Sequence, residues 1–119
     1  MKIDNAYLRI IYEYLQMTVM SPLGLAVPVE WLVYFNITKD PDAYGWANPE
    51  GEHDDPFCEY TMDVSKVKNK TYKDVLETLL HEMVHIHLHY TGVKNWDEHS
   101  KAFDKVQRRI EEFTGFSIS

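Results

Sequence analysis

Hydrophobic positions follow a helical spacing towards both ends of the chain and a strand-like alternation in its middle. Residues 4–19 carry apolar side chains near helical spacing, which predicts an amphipathic helix. The sequence S-P-L-G at 21–24 ends it, because proline does not continue a helix and glycine loosens the chain. Large apolar side chains alternate through residues 29–38, the period of a strand. We also predict a short strand at 43–47 and a further strand at 57–64.

From Thr71 onward the period changes from two residues to between three and four. Thr71 and Asp74 have the spacing of a capping box, which predicts a helix start, and Gly92 is the expected C-cap. The apolar stripe of this helix comprises Tyr72, Leu76, Leu79, Met83, Ile86 and Tyr90. The sequence N-W-D-E at 95–98 offers a second cap, for a last helix that runs to about Phe113. We therefore predict an α+β fold with an N-terminal helix, a small antiparallel sheet of two or three strands, and two C-terminal helices.

Composition and charge limit the possible classes of protein. A chain of 119 residues with 45% hydrophobic residues is enough for one domain, which we place at 1–119. The single cysteine, Cys58, excludes an internal disulfide and a cysteine-rich zinc ribbon within this chain. Charged residues interrupt every apolar run, so we expect neither a secretory signal nor a membrane span, and a cytoplasmic location. The net charge of −7 makes nucleic acid an unlikely partner.

Four histidines lie close together in the sequence L-L-H-E-M-V-H-I-H-L-H. His81 and His85 are one helical turn apart, about 40° around the axis from each other, so their imidazoles can hold a single zinc ion. Glu82 is rotated by about 100° around the helix axis from His81, where a general base would lie beside a zinc-bound water. His89 lies about 12 Å along the axis from His81, and His87 projects to the opposite side. For these two we expect packing, partial exposure or hydrogen bonds to neighbouring groups.

A catalytic zinc ion usually has three protein ligands and one exchangeable position. His99 is the best third candidate, because it lies four residues before Phe103 on the predicted core-facing stripe of the last helix. The competing ligand, Glu98, is rotated by about 100° from that stripe. His53 lies in an acidic loop, and we expect a plain surface role for it.

These residues carry a resemblance to a known family. H-E-M-V-H at 81–85, followed by D-E-H-S-K-A-F at 97–103, resembles the SprT-like family of zincin metalloproteases, and the likeness extends over roughly 29–113. The resemblance implies a zincin-like fold, zinc as the cofactor, the three histidines named above as its ligands, and Glu82 as the catalytic glutamate. It also implies a protein or peptide substrate. The chain lacks the cysteines of the zinc ribbon that many members carry, and it shows no basic DNA-binding surface, so we expect a bare catalytic core.

The sequence leaves several details of the chemistry open. Tyr60 or Tyr44 could assist as a second electrophile, with no basis for choosing between them. We expect the strand at 57–64 to pair with an extended substrate by strand addition at a sheet edge. The acidic loop at 50–59 could favour basic substrates, but a simply solvated loop is the stronger expectation.

Three functions from other classes are the alternatives. A non-peptidase zinc hydrolase needs the same zinc ion, water and base. A catalytically inactive zinc-binding interaction module would use the metal to stabilise a small domain, but such a site has no need of the base Glu82. A nucleic-acid adaptor is disfavoured by the charge. The identity of the substrate, the oligomeric state and any regulatory partner are not determined by the sequence.

Overall fold

The computed structural model describes residues 2–118, which form three α-helices and one three-stranded sheet. The helices are α1 (Asn5–Leu15), α2 (Tyr72–Tyr90) and α3 (Lys101–Thr114), and the strands are β1 (Val33–Thr38), β2 (Gly45–Pro49) and β3 (Tyr60–Ser65). A π-helical turn (Gln16–Met20) extends α1, and a 3-10 turn (Glu30–Leu32) precedes β1. The predicted α+β class and order of elements are confirmed. None of the helices in residues 2–118 has both the length and the apolar character needed to cross a bilayer.

The sheet is mixed, so the prediction of a purely antiparallel sheet is wrong for one pair of strands. The strand order is β1-β3-β2, with β1 parallel to β3 and β2 antiparallel to β3. The core-facing side chains of β3, Tyr60, Met62 and Val64, are fully buried. A central position gives this strand hydrogen-bonded neighbours on both sides, whereas β2 contains Pro49, a residue suited to an edge strand. Since β3 is central, it has no free edge for a substrate strand, and that expectation for residues 57–64 is also wrong.

Helix α2 is the central helix of the domain. The predicted capping box is present: the Asp74 amide donates to Thr71 Oγ1 and the Thr71 amide donates to Asp74 Oδ2, each over 3.1 Å. The predicted apolar stripe is buried in its middle, but Tyr72 at the start and Tyr90 at the end are exposed. The other side of the helix is also covered, since α2 packs on β2, β3, α1 and α3. The histidines of α2 therefore lie in a seam between elements rather than on an open face.

Helix α3 starts later than predicted. Its N-cap is Ser100, whose hydroxyl accepts a hydrogen bond from the Phe103 amide, so the cap is not within residues 95–98. His99 consequently precedes the helix instead of belonging to its first turn. The helix buries Phe103, Val106 and Ile110 and ends at Gly115, whose φ of 79° is the left-handed conformation of a glycine C-cap.

Candidate metal centre

The structure brings together the side chains of His81, His85 and His99. The first two are on successive turns of α2, and the third is in the connection between α2 and α3. The Nε2 atoms of His99 and His81 are 3.1 Å apart, and the potential ligand atoms of all three residues lie within 4.8 Å of one another. Two nitrogens bound to one tetrahedral zinc ion would be about 3.3 Å apart, given Zn–N bonds near 2 Å. The cluster therefore has dimensions that suit one metal ion, with small side-chain rotations.

Main-chain carbonyl groups determine which ring nitrogen of His81 and of His85 is free. His81 Nδ1 lies 2.6 Å from the carbonyl oxygen of Ile118, and His85 Nδ1 lies 2.7 Å from that of Trp96. A carbonyl oxygen can only accept, so both Nδ1 atoms carry the proton and donate it. Each Nε2 then has a free lone pair. This is the usual arrangement of metal-binding histidines, which donate through their other nitrogen.

Phe103 forms an apolar floor beneath the cluster. Its ring centroid lies 4.6 Å from those of His85 and His99 and 5.0 Å from that of His81. Burial lowers the pKa of His81 and His85, against a raising effect of their hydrogen bonds to backbone carbonyls. A lowered pKa favours the neutral imidazole, which is the form that binds a metal ion. His99 is exposed, so the cluster is open to solvent on that side.

Glu82 lies beside the histidines, on the side of a cleft. Its side chain is almost completely buried, and Oε2 is 4.0 Å from Nε2 of His81. Burial raises the pKa of this carboxyl to about 8, because the charged form loses solvation. The cleft has a volume of about 380 Å³, and its lining includes Glu82, His81, Tyr44, Gly45, Ser117 and Ile118. A carboxyl group with a raised pKa, placed beside a cluster that could hold a metal ion and at the side of a cleft, is suited to transferring protons.

The two candidate tyrosines occupy different places. The Tyr60 hydroxyl is buried and shares a hydrogen bond of 2.6 Å with His89 Nδ1, and burial raises the pKa of this tyrosine far above its ordinary value. Tyr44, which is half exposed, lines the same cleft as Glu82. Of the two, Tyr44 is therefore the one that can reach a bound molecule.

The remaining predicted candidates lie outside the cluster. His87 Nδ1 donates to the carbonyl oxygen of Ala26 over 2.7 Å, and the His89 ring packs edge-on against Trp96. Glu98 and His53 are exposed, and neither belongs to the group of side chains that could hold a metal ion.

Sequence reasoning missed the two main-chain carbonyls and the segment after α3 that lines the cleft. A backbone carbonyl has no sequence signature, so no motif could have indicated either hydrogen bond. The one available signal in the sequence was the apolar side chain of Ile118, near the end of the chain. In the structure this side chain is buried.

Comparisons with known proteins agree on one family. The model of the SprT-like family matches residues 44–119, a range that contains all three clustered histidines and Glu82. The DNA-dependent metalloprotease SPRTN of Homo sapiens is 33% identical over 95 residues, which are 79% of this chain and 18% of that protein. SPRTN of Mus musculus gives the same values, and SPRTN of Xenopus tropicalis is 38% identical over 64 residues, 53% of this chain and 15% of its own length. The chain thus spans less than a fifth of the length of these curated relatives.

Proposed function

Because the chain belongs to the SprT-like family, we propose that it is a zinc-dependent metallopeptidase in which His81, His85 and His99 hold the metal ion. The observation that carries this proposal is the convergence of three imidazoles beside the buried carboxylate of Glu82, at the side of a cleft. Three neutral nitrogen ligands suit zinc, and a three-residue set leaves a position for an exchangeable water.

In the proposed reaction Glu82 is the general base. The bound zinc ion would supply Lewis acidity, which activates a water molecule and polarises the carbonyl group of the scissile peptide bond. Glu82 takes a proton from the attacking water and then delivers it to the leaving amine. Its pKa of about 8 in the metal-free protein makes the protonated form accessible near neutral pH, and the charge of the metal ion would favour the carboxylate form that starts the cycle.

The proposed path of the substrate follows β2 rather than β3. Strand β2 is at the edge of the sheet, and Gly45 at its start lines the cleft together with Tyr44. An extended peptide could add to this edge through main-chain hydrogen bonds and present its backbone to Glu82. Tyr44 would then be the side chain that hydrogen-bonds to the reacting carbonyl oxygen.

We further propose a protein or peptide substrate and no requirement for nucleic acid. The relatives are named as DNA-dependent metalloproteases, but this chain has a net charge of −7, which opposes contacts with a phosphate backbone. The cytoplasmic location and the single domain at 1–119 are also predictions. Measuring proteolysis with and without double-stranded DNA, at several salt concentrations, tests the requirement for nucleic acid.

The experiment that tests the catalytic proposal combines metal analysis with a substrate panel. Glu82→Gln should retain stoichiometric zinc and lose at least about a hundredfold in turnover, because the proton acceptor is gone. His99→Ala should lose zinc, whereas Glu98→Gln, which changes the exposed neighbouring carboxylate, should keep both zinc and activity. Peptidase activity of Glu82→Gln equal to that of the wild type would refute the assignment of the base. A wild type that cleaves only non-peptide substrates would favour the alternative zinc hydrolase, and one that binds zinc without any turnover would favour an inactive interaction module.

A further inference from the structure

The segment that follows α3 returns to the metal centre. Gly115 turns the chain back with its positive φ, and residues 116–118 then run beside α2. The carbonyl oxygen of Ile118 accepts the hydrogen bond from His81 Nδ1. We propose that residues 116–118, which we call the strap, are a positioning element that fixes the ring of His81 for metal binding. This inference rests on the metal site of the proposed function.

Two carboxylates hold the main chain of the strap in place. The Ser117 amide donates to Glu77 Oε2 over 2.7 Å, and the Ile118 amide donates to Glu111 Oε2 over 2.9 Å. Glu77 is on α2 and Glu111 is on α3, so consecutive amides of the strap are tied to two different helices. Hydrogen bonds to an ionised acceptor are stronger than those between neutral groups. Both carboxylates act on the backbone, so the position of the Ile118 carbonyl depends on them directly.

The strap also borders the cleft in which Glu82 lies. Ser117 and Ile118 are part of the lining of the cleft, and the Ile118 side chain is buried in the core. Glu77 precedes His81 by one helical turn. The carboxylate that holds the strap and the histidine that donates to the strap are therefore neighbours on one face of α2. A displaced strap would therefore release His81 Nδ1 and change one wall of the cleft at the same time.

A purely structural role for the strap would predict a different result. If the strap only closed the core through Ile118, removal of the two carboxylates would change stability without a specific effect on His81. If the strap positions the ring of His81, removal of the two carboxylates allows the ring to take either tautomer or another orientation. The metal site is then weaker, because only part of the population has the lone pair on Nε2. Loss of such an orienting hydrogen bond typically lowers metal affinity by about 10- to 100-fold.

The test uses the full chain and a double variant, Glu77→Ala with Glu111→Ala. Zinc affinity is measured by competition with a chromophoric chelator. The His81 tautomer is read from nitrogen-15 chemical shifts of the metal-free protein at a pH where the imidazoles are neutral. We expect the wild type to show the Nδ1–H tautomer and the double variant to show a mixture of tautomers, with zinc affinity at least about tenfold weaker. The double variant Glu77→Gln with Glu111→Gln keeps acceptor oxygens for both amides and should restore most of the affinity.

Two controls account for changes unrelated to the strap. Lys73→Ala removes the ammonium group 4.0 Å from Glu77, and Glu112→Ala removes an exposed carboxylate from α3. Both should keep the wild-type tautomer and zinc affinity. An Nε2–H tautomer in the wild type, or wild-type zinc affinity in the double alanine variant, would overturn the inference. A wild type that binds no zinc would overturn the proposed function instead, and the tautomer measurement would still decide whether the strap orients His81.

Discussion

The buried carboxyl of Glu82 should make the metal-free protein less stable as the pH rises. Its pKa is raised by burial from 4.5 to about 8, so the folded state holds a proton that the unfolded state has already released. Between these two values the folded state binds more protons, and the free energy of unfolding therefore falls with increasing pH. Replacement by glutamine removes the titration and leaves a neutral side chain of nearly the same shape.

The size of the effect follows from the pH window around the folded-state pKa of Glu82, well above its unfolded-state value. Burial lowers the pKa values of His81, His85 and His89 below 6.5, so these side chains are neutral at higher pH in both states. From about pH 6.5 to about pH 9, loss of the proton at a pKa of about 8 should cost the wild type about 2 kcal/mol relative to Glu82→Gln. Each pH unit below the folded pKa contributes about 1.4 kcal/mol of this difference.

Urea denaturation of chelator-treated protein measures this difference directly. Unfolding free energies of the wild type and Glu82→Gln are compared at several pH values, and all other titrating groups cancel in the subtraction. The exposed Glu112→Gln is the matched control, and its difference from the wild type should not change with pH. A stability difference for Glu82→Gln that is constant from about pH 6.5 to about pH 9, within about 0.5 kcal/mol, would show that the carboxyl is ionised throughout and that the reasoning from burial is wrong.

Two further substitutions test packing around the site and in the core. Gly45→Ala should destabilise the protein by about 1–3 kcal/mol, because the added Cβ would collide with the carbonyl oxygen of Asp63. The control Gly51→Ala gives ordinary van der Waals contacts and should be nearly neutral. Equal urea midpoints for the two variants would refute this prediction. Tyr12→Phe should cost about 1–2 kcal/mol, because its buried hydroxyl donates to a main-chain carbonyl over 2.7 Å, while the exposed Tyr14→Phe should change the thermal midpoint little. A Tyr12→Phe variant as stable as Tyr14→Phe would contradict that hydrogen-bond argument.

Local signals predicted the helix that carries His81 and His85. The capping box at Thr71 and the spacing of apolar residues placed α2 within a residue or two of its observed bounds, because capping and periodicity involve neighbours within one or two turns. The start of α3 was less well predicted, since Asn95, Asp97 and Ser100 all have side chains that can cap a helix. Which of them is used depends on the packing of Phe103 beneath the histidines, and that contact joins two helices.

The order and directions of the strands in the sheet could not be predicted from local sequence patterns. Alternating apolar residues predict the strand at 29–38, and two further strands were also predicted, but the sequence of a strand does not show which strands are its neighbours. The central position of β3 goes with the burial of its three inward side chains on the side of α2 and with pairing on both of its edges. Because β3 is central, the sheet edge near the cleft belongs to β2, and Tyr44, rather than Tyr60, lines the cleft together with Glu82.

The sequence by itself determined the α+β class, the helix that carries His81, Glu82 and His85, and the candidacy of His99, because these depend on residue type and on spacing along one helix. Only the tertiary structure decided that His99 reaches the other two histidines, that main-chain carbonyls from distant segments orient two of the rings, and which sheet edge borders the cleft. These features depend on contacts between residues far apart in the chain. Such contacts are fixed by how buried surfaces pack together, and spacing along the chain does not encode them.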